Sequence, residues 1–236
     1  MFDCGTNVKS GYLVLFDIDG TLLSAGGAGY FALERAIVEI LGASSGLLGI
    51  SLDGNTDRNA LLQISARDST PFPDNSLIEK FKSHYSEILL RELSGKGDLK
   101  PGVVELLDEL IVQPDTVIAL VTGNFREGAE IKLARFNIQH YFKFGAFGCE
   151  HHERSELIKL AVQRAEKFYP DLNFSRERIV MIGDTINDIK ACTPSRIRSI
   201  ATATGSYSLS QLADAGADLA VEDLSDTERI ISWIRK

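Results

Sequence analysis

Cysteine is scarce in this chain of 236 residues: Cys4, Cys149 and Cys192 are its three thiols, and they lie far apart. That count excludes a disulfide scaffold or a zinc knuckle, and free thiols are expected. Long apolar runs are missing too. None approaches the roughly 18–20 residues that a bilayer crossing needs, and the polar start Met1-Phe2-Asp3-Cys4-Gly5-Thr6-Asn7 does not read as a signal peptide. A cytoplasmic protein without membrane contact is expected. Basic residues are in the minority, with 25 Lys and Arg against 33 Asp and Glu and a formal net charge of −8. This argues against a general nucleic-acid or anionic-membrane binder, so attraction for an anionic substrate has to be local. What is present, 44% hydrophobic and 25% charged residues, is the composition of an ordinary folded protein. The length suits one large domain or a core with a smaller companion.

Leu13-Val14-Leu15-Phe16 is a short continuous apolar run, as expected for a parallel strand covered on both faces, and it stops at Asp17-Ile18-Asp19-Gly20-Thr21. Similar runs recur at residues 117–121, 179–182, 197–203 and 219–221, with helical patterns between them at 103–112, 126–136 and 156–168. Strands that alternate with helices predict an α/β fold with a parallel sheet. From 24 to 98 the pattern changes: helical periodicity dominates, with candidate helices at 28–41, 57–66 and 75–93 and an apolar face of Phe31, Ala32, Ala36, Ile37, Ile40 and Leu41. This predicts a helical unit inserted into the α/β core, with hinges at Ser24-Ala25-Gly26-Gly27 and Ser94-Gly95-Lys96-Gly97.

The chemistry gathers at strand ends. Gly20-Thr21 signals a turn that can aim Asp17 and Asp19 into one crevice, beyond the carboxyl ends of parallel strands, where open α/β sheets bind ligands. Thr122-Gly123-Asn124 places a hydroxyl, a glycine and an amide where another strand opens into a helix, an arrangement that can cradle an anion. A third strand ends in Gly183-Asp184, and Asp188 follows four residues later, at the spacing of neighbours on a helix face or of a helix cap. Four carboxylates in one crevice repel unless a cation joins them. Oxygen ligands with no His or Cys beside them favour Mg²⁺ over zinc, and Mg²⁺ pairs naturally with a substrate phosphate.

The residues Asp17-Ile18-Asp19-Gly20-Thr21, Thr122-Gly123-Asn124 and Gly183-Asp184 through Asp188 resemble, in this order and spacing, motifs I, II and IV of the haloacid dehalogenase superfamily. The resemblance covers roughly Leu13 to Asp223 and points to the phosphoglycolate phosphatase-like branch. It implies a Rossmann-like core at 1–23 and 99–236, with a helical cap of the C1 type at 24–98. It also implies that Asp17 is the nucleophile, forming an aspartyl-phosphate, and that Asp19 is the acid and then the base. Asp17, the Asp19 carbonyl, Asp184 and Asp188 would hold Mg²⁺, and Thr122 with the amides of Gly123 and Asn124 would bind the transferred phosphoryl group. The basic residue of motif III has three candidates, Arg154, Lys159 and Lys167. Arg154 fits best, because it stands just before a helix whose buried stripe is Leu157, Leu160, Ala161, Ala165 and Phe168. In the polar turn from Leu52 to Arg58, Thr56 or Asp57 suits a helix cap, and the resemblance makes Arg58 a candidate for a substrate carboxylate.

Other features read more plainly. His151-His152-Glu153 is expected at a surface turn, Gly26-Gly27-Ala28-Gly29 is a hinge and not a P-loop, and Trp233 packs on the core. Proline at 194 should cut the last motif's helix short. The expected activity is a Mg²⁺-dependent phosphatase for a small phosphorylated metabolite, phosphoglycolate-like or a sugar phosphate. The alternatives are a phosphosugar mutase of the β-phosphoglucomutase kind and a catalytically idle binding protein of the same fold. A 2-haloacid dehalogenase is disfavoured by Asp19. Oligomeric state is not legible in one chain.

Overall fold

The computed structural model describes residues 8–236; Cys4 and the polar start at 1–7 lie outside the described residues. Six parallel strands make the central sheet: β1 (Tyr12–Phe16), β2 (Thr116–Thr122), β3 (Gly145–Phe147), β4 (Ile179–Gly183), β5 (Arg198–Thr202) and β6 (Leu219–Val221). Their spatial order is β6-β5-β4-β1-β2-β3, with every neighbouring pair parallel. The chain builds outward from β1 to β3, then returns to β4 on the other side of β1 and builds outward again. That reversal opens a crevice beyond the carboxyl end of β1.

Nine helices are described: α1 (Ala28–Leu41), α2 (Asp57–Arg67), α3 (Asn75–Glu92), α4 (Val103–Ile111), α5 (Arg126–Arg135), α6 (Arg154–Phe168), α7 (Ile186–Cys192), α8 (Leu209–Asp214) and α9 (Thr227–Ile234). Alternation along β1 feeds two cores. Leu13 and Leu15 face Leu157, Ile158 and Ala161 of α6, whereas Val14 and Phe16 face the layer that holds Leu106, Leu107 and Leu110 of α4. Coverage on both faces is why the strand reads as one unbroken apolar run. The sequence pattern did not reveal β3, because Phe144-Gly145-Ala146-Phe147 is short and carries a glycine. Two details of the helical stripes also differ from expectation. Phe168 and Phe31 are exposed, and Ile158 takes a buried place on α6.

The three inserted helices start where local chemistry directs. Thr56 Oγ1 accepts from the Asn59 amide at 3.1 Å to cap α2, and Asp74 Oδ1 accepts from Leu77 at 2.8 Å to cap α3. Helix α1 packs along α3, and Phe81 and Tyr85 of α3 meet Phe125, ahead of α5, edge-on. Inserted helices and sheet therefore share one apolar core. The two connections into the insert are paired, since Leu23–Ser24 and Asp98–Leu99 form an antiparallel two-stranded ribbon. Gly97, at positive φ, lies where a Cβ would collide with the Ser24 carbonyl. Helix α7 ends at Cys192 as Pro194 dictates, and a 3₁₀ turn at Thr193–Ser195 leads to β5.

Candidate active site

The last ladder bond of β1 runs from the Asp17 amide to the Ile182 carbonyl, after which Gly20, at φ 84°, turns the chain away. Asp17 and Asp19, two residues apart, project into the crevice while Ile18 is fully buried. Only glycine fits at position 20, because a Cβ there would collide with the carboxylate of Asp184. Strand β4 delivers Asp184, whose Oδ1 accepts from the Thr21 hydroxyl at 3.0 Å. Asp188 does two things at once. Its Oδ2 accepts from the Thr185 amide at 3.0 Å and hydroxyl at 2.6 Å in a capping box for α7, while Oδ1 faces the crevice side.

Arg154, at the first turn of α6 and only 7% exposed, lies between these acids. Its Nη2 is 2.6 Å from Asp17 Oδ1, and its Nε is 2.6 Å from Asp188 Oδ1. The second contact is close but out of line for a hydrogen bond, so both Nε and Oδ1 remain unsatisfied and buried. Lys159 is exposed and bound to Glu156, and Lys167 is exposed farther along the helix, so neither reaches the crevice.

Asp17, Asp184 and Asp188 each offer an oxygen within 4.8 Å of the others. Three carboxylates against one guanidinium leave two negative charges, and the electrostatics register the excess. Burial pushes Asp184 up to about 8, with Asp188 and Asp17 adding to it. Burial likewise raises Asp17 to about 6, opposed by Arg154. Arg154 itself is held above its ordinary value, because Asp17 and Asp188 outweigh the cost of its burial. An all-oxygen set with a twofold negative excess and an orphaned carboxylate oxygen fits a hard divalent cation. His151 and His152 stack on each other at the surface and belong to no metal-holding group among the described residues.

On the other side of the crevice, Thr122 Oγ1 accepts from Asn124 Nδ2 at 2.8 Å, and the same amide group donates to Asp19 Oδ2 at 2.7 Å. A residue that the motifs did not indicate completes this group. Lys132 of α5, 3% exposed, donates to Asp19 Oδ2 and to Asn124 Oδ1, both at 2.6 Å. Its place on the buried face of α5 with Ala129 and Leu133 was the available signal, since a lysine on an apolar stripe calls for a partner. Gly29 of α1 makes room for the ammonium, because a Cβ there would lie 2.9 Å from Nζ.

The helical insert closes the crevice into a cavity of about 490 Å³. The Asp57 amide donates to the Gly123 carbonyl at 2.8 Å, and Asp57 Oδ2 accepts from the Phe125 amide at 2.7 Å, capping α5 across the interface. The Thr56 hydroxyl donates to the His152 carbonyl at 3.0 Å, and Asn187 Nδ2 donates to the Asp53 carbonyl at 2.9 Å. Gly123 is a packing glycine as well as a motif residue, since the Asn55 carbonyl would collide with any Cβ there. Burial pushes Asp57 up to about 6, opposed by the Phe125 amide and Lys132. Arg58 is not brought into the cavity: its guanidinium stacks over Phe72, 5.0 Å from the ring centre.

The family model for haloacid dehalogenase-like hydrolases matches residues 13–193. The chain belongs to the haloacid dehalogenase-like hydrolases. A phosphoglycolate phosphatase of Agrobacterium fabrum is 26% identical over 222 residues, spanning 90% of this chain and 89% of its own length. The hydrolase fold is shared with CbbY from Rhodobacter sphaeroides, solved in complex with phosphate, at TM-score 0.67, 18% identity and coverage of 91% of this chain and 95% of that one. It is shared equally with a hydrolase from Pseudomonas syringae, at TM-score 0.66, 20% identity and coverage of 94% and 98%. In this haloacid dehalogenase-like hydrolase, Asp57, Tyr85 and Lys132 belong to the site's surroundings beyond the motif residues. Tyr85 and Asp57 line the cavity from the inserted helices. No helix among the described residues is long and apolar enough to cross a membrane.

Proposed function

We propose that the chain is a Mg²⁺-dependent phosphatase that hydrolyses a small-molecule phosphate monoester through an aspartyl-phosphate on Asp17, working in the cytoplasm as a core (1–23 and 99–236) closed by a helical cap (24–98). The observation that carries this reading is the sorting of acids in one cavity. Asp17 joins Asp184, Asp188 and Arg154 in one cluster, and Asp19 is held apart from it by Lys132 and Asn124.

Asp17 is placed at the end of β1 with its carboxylate steadied by Arg154, so an oxygen can attack phosphorus in line with the departing alkoxide. Asp19, whose side chain is 42% exposed to the cavity, can protonate that alkoxide and then take a proton from the water that cleaves the acyl-phosphate. Thr122 and the backbone amides of Gly123 and Asn124 supply donors for the phosphoryl oxygens, and the cap keeps bulk water out while the charges develop. Mg²⁺, held by Asp17, the Asp19 carbonyl, Asp184 and Asp188, supplies neutralisation of the phosphoryl charge when bound.

The test is direct. Purified protein incubated with an aryl phosphate should release phosphate with Mg²⁺ and lose that release when the metal is chelated. Absence of release across a broad panel of phosphate esters would end the phosphatase reading. Recovery of an isomeric sugar phosphate in place of free phosphate would replace it with a mutase.

A further inference from the structure

The cavity is unevenly charged. Its strand-end side carries the groups proposed for the phosphoryl group. The side a leaving group would meet is built by Tyr30, Leu33, Asp53, Asn55, Asp57 and Tyr85. That wall contributes two carboxylates, two phenols, an amide and an apolar side chain, and no cation. Among the described residues two cations line the cavity, and each already has two partners: Arg154 sits between Asp17 and Asp188, and Lys132 between Asp19 and Asn124. Arg58, the cap residue that the sequence offered for a substrate carboxylate, is turned onto Phe72.

Resting on the phosphatase reading, we infer that the ester accepted here has a leaving group that bears hydroxyl or ammonium groups and carries no carboxylate. Five carboxyl groups, those of Asp17, Asp19, Asp53, Asp57 and Asp184, line the cavity with two cations, Arg154 and Lys132, which are already bonded to Asp17 and Asp19. A divalent cation reduces that excess, and a phosphate dianion restores it. A further carboxylate on the substrate would meet Asp53 at the rim and be desolvated beside Asp57, with no counter-charge to meet it. Hydroxyl groups find the opposite situation. Asp57 uses Oδ2 for the Phe125 amide, leaving Oδ1 to accept, and the Tyr85 phenol stands on the same wall, whereas the Asn55 side chain is already taken by Ser51, Thr56 and Asn59. An ammonium is welcome for the same reason that a carboxylate is not. This chain therefore departs in substrate class from the relative named phosphoglycolate phosphatase, whose name specifies a carboxylate-bearing ester.

Matched esters that differ only at the remote group test this: glycerol 3-phosphate against 3-phosphoglycerate, and 2-aminoethyl phosphate against phosphoglycolate. Steady-state kcat/KM with Mg²⁺ should favour the first member of each pair by at least tenfold. Asp57→Asn, which keeps an acceptor for the Phe125 amide, and Tyr30→Arg, on a half-exposed rim position, should each narrow the ratio several-fold within the same variant, whatever happens to absolute rates. Aryl phosphate serves as the control for the underlying chemistry. If aryl phosphate is cleaved while carboxylate esters match or exceed their partners, or while neither hydroxylated nor aminated esters are cleaved, the inference is overturned and the phosphatase reading stands. If no ester is cleaved, both fall.

Discussion

On the strand-end side of the cavity, each carboxylate of the proposed chemistry is gripped by other side chains: Asp17 by Arg154, Asp184 by Thr21, Asp188 by Thr185, and Asp19 by Asn124 and Lys132. The cap side meets the core differently, through the Asp57 amide on the Gly123 carbonyl, the Asp53 carbonyl on Asn187 and the Asn55 carbonyl over Gly123. Main-chain contacts of that kind impose few requirements on side chains. The comparison teaches that reacting geometry is locked by mutual side-chain contacts, while the wall that meets the leaving group is seated largely by main-chain groups, with the Thr56 hydroxyl and the Asp57 carboxylate as its side-chain anchors.

Substitutions can break that division in order of severity. Asp17→Asn should reduce kcat by at least about a thousandfold, since an amide oxygen is a poor nucleophile. The melting temperature should hold or rise, because one charge leaves a crowded cluster; retained turnover would refute the nucleophile. Lys132→Met should lower kcat by about a hundredfold and stability by about 1–3 kcal/mol, as Asp19 and Asn124 lose a shared donor. Denaturant titration and steady-state kinetics on one preparation measure both, and a fall in stability alone would make Lys132 merely structural.

How far such residues can be read in advance depends on locality. Asp17, Asp19, Thr122 and Asp184 stand at the ends of apolar runs, so their positions follow from strand pattern and turn residues, and helices α1 to α3 follow from periodicity and caps. The apolar stripe of α5 marks Lys132 as a lysine in need of a partner, but which partner it takes is fixed only once α5 is laid against α1 and the first strand's loop. Arg58 shows the reverse error: a charged residue in a polar turn invites a binding role, yet Phe72, fourteen positions on, takes its guanidinium. Strand β3 escaped notice because three residues at a sheet edge need little apolar signal to form.

Gentler changes address the seating of the cap. Gly123→Ala should lower kcat/KM by about tenfold by lifting the Asn55 segment, with faster amide exchange at 53–57 as the confirming measurement. Without metal, pH should act on the buried acids, Asp57 as well as the cluster. The folded Asp17 and Asp184 hold protons up to about 6 and about 8, whereas the unfolded chain releases them near 3.8. The folded state therefore binds more protons across that window, so stability falls as pH rises from about 4 to 8. A thermal scan should show the melting temperature dropping by roughly 3–6 °C over that range, and added Mg²⁺ should recover more at pH 8 than at pH 5. At the small end, Arg58→Ala should change kcat/KM by less than about twofold for any ester, and a larger drop would place Arg58 in the cavity after all.

The central position of β1 has a consequence for biogenesis. Its Leu13 pairs with Val117 on one side and Ile179 on the other, so the central strand leaves the ribosome before the other five strands of the sheet and waits for flanking partners that come much later in the chain. At about 5–20 residues per second, that wait lasts on the order of ten seconds or more. During it, an apolar segment with two open hydrogen-bonding edges depends on chaperones or on the early helices for shelter, which makes slow, assisted refolding the natural behaviour of this topology.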